Sequence, residues 1–191
     1  MPRFVVLLRG VNVGKGNRLP MADFKSLLES LGHDEVKTLL NSGNAVFRAS
    51  ARSSGPVAAA IHTALLSELG LDVLVVVKSD REFAAILEEN PLARDCTDPS
   101  RLLVTMTADA ASLAALDGIA ASVRPPEKFV RGKSAAYLHC TRGILESAAA
   151  TALLGKVGRG ATTRNWATML KLQALLAGET PAKTTPRGRK P

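Results

Sequence analysis

The chain has 191 residues, 46 % of them hydrophobic and 22 % charged, and carries a formal net charge of +8. That balance excludes a polar, coreless chain, and no apolar run approaches the ~20 residues needed to cross a bilayer. One large domain or two small packed ones would use this length.

The N-terminal Met1-Pro2-Arg3-Phe4 leads straight into a strand-like run, without the zones of a signal peptide. A cytoplasmic protein is expected, with no membrane partner. Two cysteines, Cys96 and Cys140, lack any paired redox or metal spacing and read as inert thiols. The charge is uneven: residues 124–191 hold 13 Lys+Arg against 3 Asp+Glu. Such a basic third attracts nucleic acid, nucleotides or acidic partners. Its last part, 177–191, is rich in Pro, Thr, Lys and Arg and reads as a disordered tail.

Residues 3–9 form a nearly continuous apolar run, as in a strand covered on both faces. A loop rich in Gly and Asn follows, and Pro20 suits the first turn of a helix. Met21, Phe24, Leu27, Leu28 and Leu31 recur at helical spacing, and Gly32 ends that helix. Strands at 35–40 and 45–48 flank the turn residues Asn41-Ser42-Gly43-Asn44. Val57, Ile61, Leu65 and Leu69 mark a second helix closed by Gly70, and 71–77 is the strongest strand signal. The order strand, helix, strand, strand, helix, strand is the ferredoxin-like, split βαβ succession.

Ser79 and Glu82 form a capping box opening a third helix through Leu87, which Asn90-Pro91 ends. A polar loop at 94–100 precedes a strand at 102–106. Leu113, Leu116 and Ile119 give a helix, 127–131 and 135–139 a hairpin, and 144–154 an Ala-rich helix. No final strand is evident. Thr162-Thr163-Arg164-Asn165-Trp166 opens a last helix to Leu176, with Trp166, Met169, Leu170, Gln173 and Leu176 on one face. The expected fold is therefore α+β: two ferredoxin-like (βαββαβ-type) halves, the second incomplete, with an extra C-terminal helix. The boundaries are 1–78, 79–176 and the tail 177–191.

Three polar stretches could carry chemistry. The loop after the first strand holds Arg9, Gly10, Asn12, Gly14, Lys15, Gly16, Asn17 and Arg18. Strand, Gly-rich loop and helix N-terminus together offer free N–H groups and a positive dipole end, while Gly14 and Gly16 permit positive φ. Gly10-x-x-x-Gly14-Lys15-Gly16 resembles a phosphate-cradling loop. It is one residue short between glycines, however, and lacks the Ser or Thr for magnesium, which excludes a nucleoside triphosphatase. The alternative is a plain connecting loop.

Ser42 and Asn44 can bond a ligand or their own backbone, and the hairpin turn they occupy need not lie beside the first loop. Arg164, placed in a helix's first turn, runs against the dipole preference, which hints at a bound anion or an acidic neighbour. Trp166 reads as a core anchor. No cofactor or metal is expected: His33, His62 and His139 are scattered, and no Ser stands in a nucleophile elbow. With 4 % aromatic residues, stacking on single-stranded bases has little to work with.

These stretches together resemble a bacterial domain-of-unknown-function family, number sixteen ninety-seven. Its hallmarks look like Leu-Arg-Gly-Ile/Val-Asn-Val-Gly, Asn-Arg-Val/Leu-Pro-Met, a Ser-Gly-Asn hairpin and Thr-Thr-Arg-Asn-Trp. Here they stand at 8–14, 17–21, 42–44 and 162–166, so the resemblance runs from residue 3 to about 176. Where many members read Gly-Gly-Lys, this chain reads Gly14-Lys15-Gly16. The resemblance implies a compact cytosolic α+β protein, assigns no activity, and favours treating the three stretches as one site. The leading expectation is a site for a small anionic ligand, a nucleotide or sugar phosphate. Arg9, Lys15, Arg18 and Arg164 would neutralise it, and Asn12, Asn17, Ser42, Asn44 and Asn165 would orient it beside the amides of Gly10 and Gly14. The alternatives are a nucleic-acid-binding module using the basic C-terminal third, and a scaffold whose motifs only join the two halves.

Overall fold

The computed structural model describes residues 1–14 and 16–179. Lys15 and most of the expected tail lie outside the described residues, including Lys183, Arg187, Arg189 and Lys190 of the basic third. Residues 177–179, the start of the expected tail, are among the described residues. They close the last helix with a Schellman pair, Gly178 N–H to Leu175 O and Glu179 N–H to Ala174 O, with Gly178 at φ 86°.

The first half runs β1 (Arg3–Leu8), α1 (Met21–Ser30), β2 (Asp34–Leu39), β3 (Asn44–Arg48), α2 (Ser54–Leu69) and β4 (Val75–Ser79). Its antiparallel sheet has the order β2-β3-β1-β4. That is the arrangement expected of a βαββαβ half. The strand predicted at 71–77 starts four residues later. Leu71 and Val73 still enter the core as buried approach residues.

After α3 (Asp80–Glu88), the second half runs β5 (Leu102–Thr107), α4 (Ala110–Ala115), a 3₁₀ stretch (Leu116–Ser122), β6 (Lys128–Arg131) and β7 (Ala136–His139). A 3₁₀ turn (Ile144–Glu146), α5 (Ala148–Leu154), β8 (Ala161–Asn165) and α6 (Trp166–Leu176) complete it. The sheet order β6-β7-β5-β8 repeats that of the first half. The second half is thus complete, which corrects the expectation of a missing final strand. The strand is Ala161–Asn165, read from sequence as a helix start. Arg164 therefore sits in a strand, in register with Val104, and Asn165 caps α6 by accepting from Thr168 N at 2.9 Å. The capping box of α3 is present as expected.

Period-2 alternation sorts the strands' side chains between layers. Phe4, Val6 and Leu8 face α1 and α2, whereas Val5 and Leu7 face the opposite way. On that opposite side they join Phe83 and Ile86 of α3, Met169, Leu172 and Leu175 of α6, and Leu102, Val104 and Met106 of the second sheet. One apolar layer, α3 with α6, is therefore shared between both sheets. The buried stripe of α6 is Met169, Leu172 and Leu175, with Leu170 exposed, so the face expected from sequence is rotated. Leu103 and Leu138 turn outward to α4 and α5. No helix among the described residues is long and apolar enough to cross a membrane.

Candidate functional site

Because β1 and β3 are antiparallel, the end of β1 lies beside the start of β3, with Leu7 opposite Asn44. This brings the β2–β3 turn next to the first loop. Leu8 N–H donates to Gly43 O at 2.8 Å, and Asn12 Nδ2 to Asn41 O at 2.8 Å. The sequence alone left open whether they meet, and here they do. Gly43 is forced: at φ +69° a Cβ would come within 2.7 Å of both Leu8 Cβ and Val11 Cγ2.

Arg164 enters this corner from β8 and uses all five of its N–H groups. Nε donates to Asn44 Oδ1. Nη1 donates to Thr162 Oγ1 at 2.9 Å and Thr163 O at 2.8 Å. Nη2 donates to Leu8 O at 2.7 Å and Ser42 O at 2.8 Å. Thr162 Oγ1 donates in turn to Leu8 O at 3.1 Å, and Asn44 Nδ2 to Leu39 O at 2.9 Å. Arg9 crosses the other way. It donates to Ala161 O at 2.7 Å and to Leu154 O and Gly155 O at the end of α5, where a cation is favoured. The two arginines are reciprocal clamps between the halves.

Every one of these acceptors is neutral. Neither arginine forms an ion pair among the described residues. Enclosure of the Arg164 guanidinium pushes its pKa down to about 10, which leaves it charged at neutral pH. Desolvation, and then the nearby Arg159, lower that of Arg9. Between them opens a cleft of about 470 Å³ whose walls include Arg9, Gly10, Ser42, Arg164 and Asn165, with no carboxylate. Ser42 Oγ and Asn165 Nδ2 have no hydrogen-bond partner among the described residues.

The structure thus brings together Arg9, Gly10, Ser42, Arg164 and Asn165, with Asn44 directly behind Arg164. The other expected residues do different things. Asn12, at φ 56°, ties the loop with Nδ2 on Leu19 O and Oδ1 on Leu19 N–H. Asn17, at φ 47°, returns Nδ2 to Gly10 O at 3.2 Å. Gly14 takes φ 62° on the exposed loop. Arg18 lines a separate recess of about 360 Å³ with Asn12 and Asn41. Sequence reasoning missed Val13, Leu154, Thr162, Thr163 and Thr168 as walls of the cleft. Val13, Thr162 and Thr163 stood inside motifs that could have flagged them; Leu154 and Thr168 did not.

Fold and cleft together define a paired βαββαβ protein of the α+β class, clamped by arginines around an electropositive opening. The chain belongs to the family described as Protein of unknown function (DUF1697), whose model matches residues 1–137. The Arg164 motif lies beyond that span, which is shorter than the resemblance implied. A solved structure described as conserved bacterial protein SP0830 from Streptococcus pneumoniae is similar in fold. Its TM-score is 0.76 at 24 % identity, covering 92 % of this chain and 98 % of that one. No curated protein matches.

Proposed function

We propose that the junction cleft binds a small anionic ligand through one phosphate or carboxylate group, with nucleotides and sugar phosphates as the ligand class. The observation that supports this is the pair of guanidinium charges, Arg9 and Arg164, solvated only by neutral acceptors in a cleft whose walls carry no acid. Hydrogen bonds to carbonyls hold a guanidinium in place without cancelling its charge, so its field reaches the opening. Ser42 Oγ and Asn165 Nδ2 supply donors at the wall. Arg164 in this arrangement is a fixed charge behind the ligand, because its donors are already used.

Isothermal titration with inorganic phosphate, AMP and glucose 6-phosphate tests this on the wild type and on Asn165→Asp. Aspartate caps a helix as well as asparagine does, so the variant stays folded while placing a negative charge in the cleft. The expected result is saturable binding by the wild type, with stabilisation of about 1.4 kcal/mol at tenfold excess over Kd, and loss of both in the variant. Absence of heat and of stabilisation in the wild type would remove the proposal.

A second reading, a scaffold without ligand, is favoured by the complete internal use of Arg164. It predicts no ligand for the wild type and unchanged or raised stability for Asn165→Asp.

A further inference from the structure

A second cleft, of about 370 Å³, opens where α3, the end of β5 and the β6–β7 turn meet, lined by Lys78, Arg81, Thr107, Leu113, Lys133 and Ser134. Strand alternation sets its chemistry. Val75 and Val77 face α1 and α2, while Val76 faces the layer between the sheets, and Lys78 follows on the Val76 side. Its stem therefore lies along buried apolar surface, and its amine emerges into the cleft.

The two carboxylates of the lining are held by serines, and both also act on Lys78 through space. Glu82 accepts from Ser79 N–H at 2.7 Å, Ser79 Oγ at 2.9 Å and Ser54 Oγ. Asp109 accepts from Ser112 N–H at 2.7 Å and Ser112 Oγ at 2.8 Å. Lys78 forms no ion pair among the described residues, and neither do Arg81 and Lys133.

We propose that this cleft is a carbonyl site, in which Lys78 Nζ forms a reversible imine with a small 2-oxo acid whose carboxylate is held by Arg81 and Lys133. The neutral amine adds to the carbonyl carbon, and one of its protons passes to the carbonyl oxygen. The resulting carbinolamine loses one water to leave C=N, and nothing is oxidised or reduced. Desolvation lowers the Lys78 pKa more than Glu82 and Asp109 raise it, which enlarges the neutral fraction the addition needs.

The test is reductive trapping on the full chain, with pyruvate as probe and borohydride as hydride donor, followed by peptide mapping. Lys78 should be labelled about tenfold or more over the exposed Lys37 and Lys128, as positioning beside bound carbonyl requires. Lys78→Arg should abolish that label and leave the others unchanged. Replacing both Arg81 and Lys133 by Ala should lower trapping of pyruvate and spare trapping of acetaldehyde, which has no carboxylate. Equal labelling of Lys78 and the surface lysines in folded wild-type protein would overturn the proposal. That comparison stands even where a variant fails to fold.

Discussion

Arg164→Ala removes five N–H donors from the junction at once. Asn44 Oδ1 belongs to a residue with 0 % exposed surface and loses its donor. An orphaned buried acceptor costs about 1–3 kcal/mol. Leu8 O keeps Thr162 Oγ1, and Ser42 O, on an exposed residue, regains water, so these two add little. The remaining loss is that of the charge-assisted bonds themselves. The sum falls at about 3–5 kcal/mol, the orphaned acceptor plus one net charge-assisted bond at about 1.5–3 kcal/mol, against a total stability of about 5–15 kcal/mol. Urea unfolding should show a lowered midpoint at unchanged slope. Since Arg164 and Asn44 share a bond across the halves, Arg164→Ala with Asn44→Ala should cost about 1–2 kcal/mol less than the two singly added. A loss at Arg164 under about 1 kcal/mol, additive with that at Asn44, would refute the clamp.

Gly43→Ala should cost about 1–3 kcal/mol through its positive φ and more through the clash with Leu8 and Val11, read as a fall in Tm; an unchanged Tm would contradict the close approach. Burial opposes ionisation of Glu82, but hydrogen bonds from Ser54 and Ser79, with Lys78 nearby, hold its carboxyl below the usual range. Its contribution is therefore complete above about pH 4.3 and is lost as pH falls through the lower folded value. The stability gap between wild type and Glu82→Gln should close in acid, and a gap constant down to about pH 3 would count against it. Met169→Ala, in the layer shared by both sheets, should cost about 2–5 kcal/mol and leave a single unfolding transition for both halves. Two transitions in calorimetry would show that the sheets unfold separately.

The first half was legible because its signals are the strong ones. β1 is buried on both faces and reads as an unbroken apolar run, α1 and α2 end on left-handed Gly32 and Gly70, and Ser79 with Glu82 spells a capping box. β8 was hidden because Ala161-Thr162-Thr163-Arg164-Asn165 has no apolar alternation: its inward groups are the Thr162 hydroxyl and the Arg164 guanidinium, which meet polar partners across the junction. The β-branched Thr162 and Thr163 were the available hint. The meeting of Ser42-Gly43-Asn44 with the first loop was derivable from antiparallel pairing of the first and third strands, once the split βαβ order was accepted. That Asn12 and Asn17 would close the loop on itself was not derivable, because an Asn side chain bonds its own backbone and a ligand with equal ease. Lys78 was overlooked for a simpler reason: at the end of a valine run it looks like a strand's solvated terminus, and only continued alternation puts it on the inner face.

A junction selected for strength alone would be better filled with apolar side chains, since burying a charge costs more than its bonds return unless the geometry is very good. The shared layer of α3 and α6 shows that this chain makes such apolar contacts readily between the same two sheets. At the corner between β1, β3 and β8 it instead encloses a guanidinium, satisfies every N–H with a neutral oxygen, and leaves the positive charge without a carboxylate. A second arginine reaches across the same corner under the same condition. Acidic partners would have stabilised both arginines more cheaply, and would also have cancelled the field in the cleft between them. The avoidance of a carboxylate at this one corner is the physical reason to look for the missing negative charge on a ligand.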